Sequence, residues 1–413
     1  MSSRPTSHPS APDRRRLRKA TEAIASLLLA LGLLAAFRLA DAAGPTPPIP
    51  ASAGPALTPT PTAQPLPAHI RIETWVAGTD VPIALVWGPD GRLYHTEKNL
   101  HLIQVRDASG ALVDSIPIPL PAGDVKDLYG LALDPDFPAQ PLFYVFYTHA
   151  APLSNRVLRF RYADGVASDP FTLFSAPLPG DCLEHNGGKL AFGQDGALYI
   201  SFGENCIDAL AQDMTIPQGK ILRISPTDGS ALPDNPFYDG DGPNDDHIWA
   251  LGVRNPFGLT IDPETGNVWE SENGPGCADE VNHIVAGANY GWPLSSPSYF
   301  ECIDPGSPYL PPAWAWTPTI APTGLNFYRG YQLWGWHGDL LMCAWRTGRL
   351  YRFSLDASRT RLATMAEYDI QPATCKLDVA TGPDGSLYLS ARDEKAIYRL
   401  TAAPLWLPLL LRE

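Results

Sequence analysis

A chain of 413 residues with 45% hydrophobic content can bury a large core, and length alone suggests about two domains. Its net charge of -14, from 30 Lys+Arg against 44 Asp+Glu, argues against nucleic acid, whose phosphates need a basic face, and makes calcium the more natural partner. The 44 prolines, 35 glycines and short Tyr/Trp-rich apolar runs point to many short strands joined by turns, an all-β chain.

At the N-terminus, Arg14, Arg15, Arg16, Arg18 and Lys19 precede an apolar run from Ala23 to Phe37, and Ala40-Asp41-Ala42 supplies a small-x-small site. Residues 1–43 therefore read as a secretory signal peptide; an uncleaved signal anchor is the alternative and the sole expected attachment to a membrane. The apolar run is shorter than the about 20 residues that a bilayer crossing takes. Residues 44–68 are dense in proline, which gives a semi-rigid extended tether. The folded domain is expected over 69–401, followed by an apolar tail, 402–413, containing Leu405-Trp406-Leu407-Pro408-Leu409-Leu410-Leu411.

The repeated phrase of that domain is a turn that leads into a strand. Gly88-Pro89-Asp90-Gly91 before Leu93-Tyr94 is the first copy, and Asp134-Pro135-Asp136, Gly193-Gln194-Asp195-Gly196, Asp262-Pro263-Glu264-Thr265-Gly266, Gly338-Asp339 and Gly382-Pro383-Asp384-Gly385 continue the series. A second segment follows each copy, often alternating apolar residues with Arg, as in Ile221-Leu222-Arg223-Ile224 and Ile397-Tyr398-Arg399-Leu400. That alternation predicts outer, half-solvated strands. Six copies spaced by roughly forty to seventy residues predict a six-bladed β-propeller, with Ile70 to Val76 closing the ring against the blade that holds Leu387 to Leu400. The stretch from His247 to Pro293 reads as the fourth blade.

Six cysteines, all from residue 182 onward, fit an exported protein in the periplasm or at the cell surface. Pairing between sequence neighbours is expected, Cys182 with Cys206, Cys277 with Cys302 and Cys343 with Cys375, because each bridge would clip a loop to a nearby strand. Metal thiolates and free buried thiols remain the alternatives, weakened by the absence of Cys-x-x-Cys.

Candidate chemistry lies in the loops. His185, in Glu184-His185-Asn186-Gly187-Gly188, can take a proton from an alcohol near neutral pH, and the two glycines let a flat ligand approach the backbone; a satisfied core histidine is the structural alternative. Arg254 and Asn255 can hold a carboxylate or developing oxyanion, or can equally clip two blades together. The loop from Gly274 to Glu280 offers turn carbonyls and carboxylates, the all-oxygen ligation calcium prefers, or solvated loop charges. The run from Asp239 to Asp246 is also calcium-compatible but reads as a polar surface loop.

In order along the chain, GPDGRLYHTE, YGLALDPDF, EHNGGKLAFGQDGALYISFGE, GKILRISPTDGSALPDNPF, IWALGVRNPFGLTIDPETGNVWESENGP, DEVNHIVAGANYGWP and DVATGPDGSLYLS resemble the soluble sugar dehydrogenases that use pyrroloquinoline quinone, the glucose/sorbosone dehydrogenase family. The resemblance spans roughly His69 to Leu400 and implies hydride transfer from an aldose or related alcohol to a calcium-bound quinone, which an external acceptor reoxidises. It implies His185 as the general base, Arg254 and Asn255 as quinone contacts, the carbonyls of Gly274 and Pro275 as ligands of the cofactor's calcium, and Glu280 and Tyr290 at a second, structural calcium site. Arg346 stands where the family has a quinone-binding Lys. Two family arginines are absent around Cys375-Lys376-Leu377, where Lys376 is the nearest substitute, and Lys126-Asp127-Leu128-Tyr129-Gly130 replaces Gln-Gly-Leu-Leu-Gly. One other reading follows from these departures, a calcium-stabilised propeller that binds glycan or protein without the cofactor; a third is a calcium-dependent lactonase on a similar propeller, with water at the metal.

Overall fold

The computed structural model describes residues 62–294 and 308–403. The expected signal, the tether up to residue 61, Cys302 and the tail from residue 404 lie outside the described residues. Six antiparallel sheets are each built from strands consecutive in the chain: blade 1 spans 82–117, blade 2 125–177, blade 3 187–251, blade 4 256–316, blade 5 322–369 and blade 6 379–402. The first strand of each sheet packs on the first strand of the next, and that of blade 6 packs on that of blade 1. The result is the six-bladed β-propeller that the repeat predicts. Ile70–Ala77 closes the ring as the outermost strand of blade 6, with Ile70 opposite Ala402 and Ala77 opposite Ala396. Gln64–Pro65 adds a short parallel strand to the edge of blade 5.

Two expectations are corrected. The alternating segments are third strands, not outer ones: Lys220–Ile224 is buried at every position, because Ile248–Leu251 pairs outside it. Arg223 tolerates this burial because Asp195, Asp234 and Asn235 accept from its guanidinium at 2.8 to 3.1 Å, and a buried charge is stable only when paired. For the same reason blade 4 begins at Pro256; Ile248–Leu251, grouped with it on sequence, belongs to blade 3.

The repeated turns pin strands together. Asp195 Oδ2 accepts from the Tyr199 hydroxyl at 3.1 Å and from Arg223 Nε at 2.8 Å. Asp384 Oδ2 does the same with Tyr388 at 3.2 Å and Arg399 at 2.6 Å, and Asp90 Oδ2 accepts from Tyr94 at 2.8 Å. One aspartate thus ties the first-to-second turn to the second strand and, in blades 3 and 6, to the third. The acidic run after Tyr238 is largely exposed and satisfied locally, Asp239 N donating to Asp246 Oδ1 at 2.8 Å, as expected of a surface loop.

Strand direction alternates within a blade, so connections from strand one to two open at one end of the ring, and those from two to three, or from four to the next blade, open at the other. Lys126, His185, Arg254, Asn255 and Lys376 precede or begin first strands, while Gly274, Pro275 and Arg346 lie between second and third strands. All therefore share the face opposite the repeated turns.

Around the axis the first strands approach backbone to backbone. A Cβ on Gly130 would lie 2.0 Å from Gly188 O, one on Gly258 2.3 Å from Thr323 O, and one on Gly324 2.6 Å from Asp378 Cα. Gly258→Ala should accordingly destabilise the fold by about 1–3 kcal/mol, whereas Gly180→Ala, where nothing lies within 4 Å, should stay within about 0.5 kcal/mol. Denaturant unfolding of the two variants checks this, and equal stability would refute close axial packing.

Candidate functional site

His185 stands in the turn that enters blade 3 and Glu204 in the loop that leaves its second strand, so the fold brings together side chains 19 residues apart. His185 Nδ1 donates to Glu204 Oε1 at 2.8 Å. The Glu204 side chain is fully buried and that of His185 is 18% exposed. A buried carboxylate on one ring nitrogen fixes the tautomer and leaves Nε2 as the proton acceptor. The histidine is thus not a satisfied core residue. Beneath it, Asn186 Nδ2 donates to the Tyr129 hydroxyl at 3.0 Å, and Asn186 Oδ1 accepts from Asn155 at 2.8 Å and Asn205 at 3.0 Å. Tyr129, Gly130, Gly187, Gly188, Lys189 and Phe257 line a small cavity beside the axis. Lys189 Nζ spans toward blade 6 to meet Asp378 Oδ2 at 2.5 Å.

Glu204 also starts an arc of contacts across blades 3 to 6. Its backbone N–H donates to Arg254 O at 2.9 Å. Arg254 Nη1 donates to Asn273 O at 2.9 Å and Gly274 O at 3.1 Å, and its guanidinium lies 5.4 Å from the Trp292 ring centroid. Arg254 Nε is buried without a partner. Asn255 O accepts from Asn273 N at 3.2 Å. Gly274 N donates to Asp279 Oδ1 at 2.8 Å, and Asp279 Oδ2 accepts from Ile320 N and Ala321 N at 2.5 and 2.6 Å. Burial nevertheless pushes the Asp279 carboxyl above its usual range. Arg346, exposed on the next loop, donates its backbone N–H to Ile320 O and its Nη1 to Thr319 Oγ1 at 2.5 Å. The arc ends where Cys375 N donates to Gly348 O at 2.9 Å and Lys376 Nζ pairs with Asp393.

Below Arg254, blade 4 carries an acidic face. Residues two apart on a strand share a side, so Glu270 and Glu272 point the same way, and register places Glu272 opposite Glu280 and Glu270 opposite Asn282. Asn282 Nδ2 donates to Glu270 Oε1 at 2.7 Å and Glu280 Oε2 at 3.1 Å, while Glu272 Oε1 accepts from Arg254 N at 2.7 Å. Burial raises all three carboxyls, helped by their mutual repulsion at Glu270 and Glu272, and takes Glu280 to about 7. Glu270 Oε2, Glu272 Oε2 and Asn282 Oδ1 are buried without a partner. Orphaned oxygens crowded on one face are what a hard cation satisfies, so the donor set fits calcium. Tyr290 packs beside this face with its hydroxyl donating to His283 O at 2.5 Å. Its segment climbs along Ile248–Leu251, Tyr290 N meeting Leu251 O, and delivers Trp292 to Arg254.

Cys182 is bonded to Cys206 and Cys343 to Cys375, the expected neighbours; the pairing of Cys277 with Cys302 involves a residue outside those described. Cys182 and Cys206 flank the His185–Glu204 pair, while Cys343 and Cys375 lie buried near Lys376. Sequence reasoning passed over Glu204, Glu270, Glu272 and Asn282. The last three were detectable from Glu-x-Glu and Glu-x-Asn spacing on adjacent strands; nothing local marks Glu204.

Residues 79–399 match the family described as glucose/sorbosone dehydrogenase. Aldose sugar dehydrogenase YliI of Escherichia coli (strain K12) is 28% identical over 358 residues, covering 82% of this chain and 94% of that protein. Quinoprotein glucose dehydrogenase B of Acinetobacter calcoaceticus is 27% identical over 397 residues, covering 74% and 82%. The structure of the PQQ-bound form of aldose sugar dehydrogenase from Streptomyces coelicolor superposes with a TM-score of 0.66 at 28% identity, over 82% of this chain and 99% of that one. Repeat, ring and loop motifs therefore agree over four-fifths of the chain, which belongs to the glucose/sorbosone dehydrogenase family.

Proposed function

We propose that this protein is an exported quinoprotein dehydrogenase that oxidises an aldose or a related alcohol, with calcium at the face that carries His185. The observation that carries the reading is the His185–Glu204 pair at 2.8 Å, set in the same arc as Arg254. His185 Nε2 takes the substrate hydroxyl proton, and Glu204 holds the ring through Nδ1 and stabilises the imidazolium that forms. Pyrroloquinoline quinone, when bound, supplies the hydride acceptor. Arg254, with its free Nε, Asn255 and the exposed Arg346 are the residues that would hold its anionic groups. Gly274 and Pro275 would offer carbonyls to its calcium, and Glu280 with Tyr290, joined by Glu270 and Glu272, would hold the structural ion. The sugar substrate is inferred from the names of the relatives. The two disulfides fit the oxidising compartment that the signal at 1–43 would lead to. The electron acceptor is external to the chain.

A second reading, a propeller that recognises glycan or protein without redox chemistry, is favoured by one observation. Lys376, the substitute for the missing arginines, is already paired with Asp393, and Cys375 beside it is locked in a disulfide. The two readings separate in one assay. Purified protein supplied with the quinone and calcium should develop the cofactor's absorbance and reduce a redox dye in the presence of aldoses. His185→Ala should retain the absorbance and lose activity by about 10²–10⁴-fold. No uptake and no turnover across a sugar panel, with binding on a glycan array, would decide for the second reading.

Calcium dependence has a predicted sign. For Glu270, Glu272 and Glu280 the folded pKa is raised above the unfolded one, so their contribution to stability is fully present below about 4.5 and is lost as pH rises above it, in the case of Glu280 through about 7. A bound cation reverses the loss by matching the ionised carboxylates. The increase in melting temperature on adding calcium to chelator-treated protein should therefore be larger at about pH 8 than at about pH 5 and should vanish in Glu270→Gln/Glu280→Gln. An increment that is independent of pH, or that survives the double substitution, places the ion elsewhere.

A further inference from the structure

The segments that carry His185 and Glu204 have a backbone that neither would adopt unassisted. His185, Asn205 and Cys206 all stand in the left-handed region, at φ of 51°, 52° and 63°, a conformation that residues with side chains keep only when their surroundings impose it. Here the surroundings are a short list. Asn205 N and Nδ2 donate to His185 O at 3.2 and 3.3 Å, Nδ2 also reaches Asn186 Oδ1 at 3.0 Å, and Gly203 N donates to Asn186 O at 3.2 Å. A Cβ on Gly203 would lie 2.0 Å from His185 O, so the two segments touch backbone to backbone. Outside them sits the Cys182–Cys206 disulfide, with Cα atoms 6.2 Å apart, three residues before His185 and two after Glu204.

We propose that Cys182–Cys206 and Asn205 form a clasp that positions the His185 imidazole on Glu204, and that this disulfide is a thiol-responsive control on the proton-transfer step. The inference rests on reading His185 as the base. The clasp sits above the sheet: register between the first two strands of blade 3 runs from Leu190–Ile200 to Phe192–Leu198 without it. Opening it therefore frees the loops while leaving the blade paired. It is also the accessible bridge of the two described, because Cys206 is exposed whereas Cys343 and Cys375 are fully buried. A dithiol reductant reaches it by thiol–disulfide exchange. Two electrons and two protons pass to the S–S bond, leaving two cysteine thiols, and the reductant closes into its own disulfide. The released segments then relax out of the left-handed turn, and the ring loses its fixed approach to Glu204. Cys182 and Cys206 are in this sense positioning residues; neither is assigned a contact with substrate.

The test compares the quinone- and calcium-loaded parent with Cys182→Ser/Cys206→Ser and, separately, Asn205→Gly, which keeps the backbone angle and removes the side-chain bonds. Both variants should melt cooperatively and take up the quinone as the parent does. Their kcat should fall by about 10- to 100-fold with KM changed by less than about threefold, and the acid limb of the kcat–pH profile should move. The parent should show the same fall after mild dithiol treatment and recover on reoxidation, while the double serine variant should not respond. Unchanged kcat, or a parallel fall in quinone uptake, KM and melting temperature, overturns the proposal and leaves a structural clip. If the parent oxidises no sugar, the dehydrogenase reading fails first, and the clasp is decided by proton NMR. A slowly exchanging His185 Nδ1–H signal should be present in the parent and lost in the double variant, and its survival there overturns the clasp.

Discussion

The pairing of Ile70–Ala77 with Ala396–Ala402 is the interaction on which the rest of this molecule depends. It joins segments more than three hundred residues apart and turns six sheets, each with an edge to protect, into one ring. Because the ring is closed, the first strands must approach one another around the axis, and the contacts at Gly130, Gly258 and Gly324 show how little space remains. A face built on so dense an axis is rigid. Loops that differ widely in length and composition are thereby held at fixed mutual positions, which a set of separate hairpins could not provide.

The two ends of the ring do different work. At one end, Asp90, Asp195 and Asp384 each collect a tyrosine hydroxyl, and the last two an arginine as well, in compact repeated turns. At the other end the loops are irregular, and their polar groups bind one another across blades: Glu204 to Arg254, Arg254 to Gly274, Gly274 to Asp279, and Asp279 to Ile320 and Ala321. The irregular face also holds some of the buried polar atoms that lack a partner among the described residues. Glu204 Oε2, Arg254 Nε, Glu270 Oε2, Glu272 Oε2 and Asn282 Oδ1 are buried without partners. Leaving such groups unmatched is expensive, and the carboxylate oxygens of Glu270 and Glu272, on one side of blade 4, are the ones the proposed cation would satisfy.

Glu272 links the two halves of that region. One of its oxygens accepts from Arg254 N, and its side chain faces Glu280 across the strand pair. The charge on the acidic face and the position of Arg254 are therefore mechanically connected, so the cation proposed for that face would act on the guanidinium above it. Trp292 closes the same unit from the side, carried up by the segment that contains Tyr290.

The sequence alone determined the number of blades, the strand that closes the ring and two of the neighbouring disulfides, because turn chemistry and period-two patterning are encoded locally and the repeat count leaves the two ends of the chain to share the last blade. Through the ordered motifs it also proposed roles for His185, Arg254 and Gly274 and, at a second site, for Glu280. What it could not express was register. That the arginine-bearing segments are third strands and not outer ones, that Ile248–Leu251 belongs to blade 3, and that Glu270 and Glu272 share a side with Glu280 all depend on which strand lies beside which. The same holds for Glu204 under His185, for Lys189 on Asp378 at a separation of 189 residues, and for Lys376 held by Asp393. Those contacts are made between loops set in place by the ring, so only the tertiary structure, which fixes where each loop ends in space, could decide them.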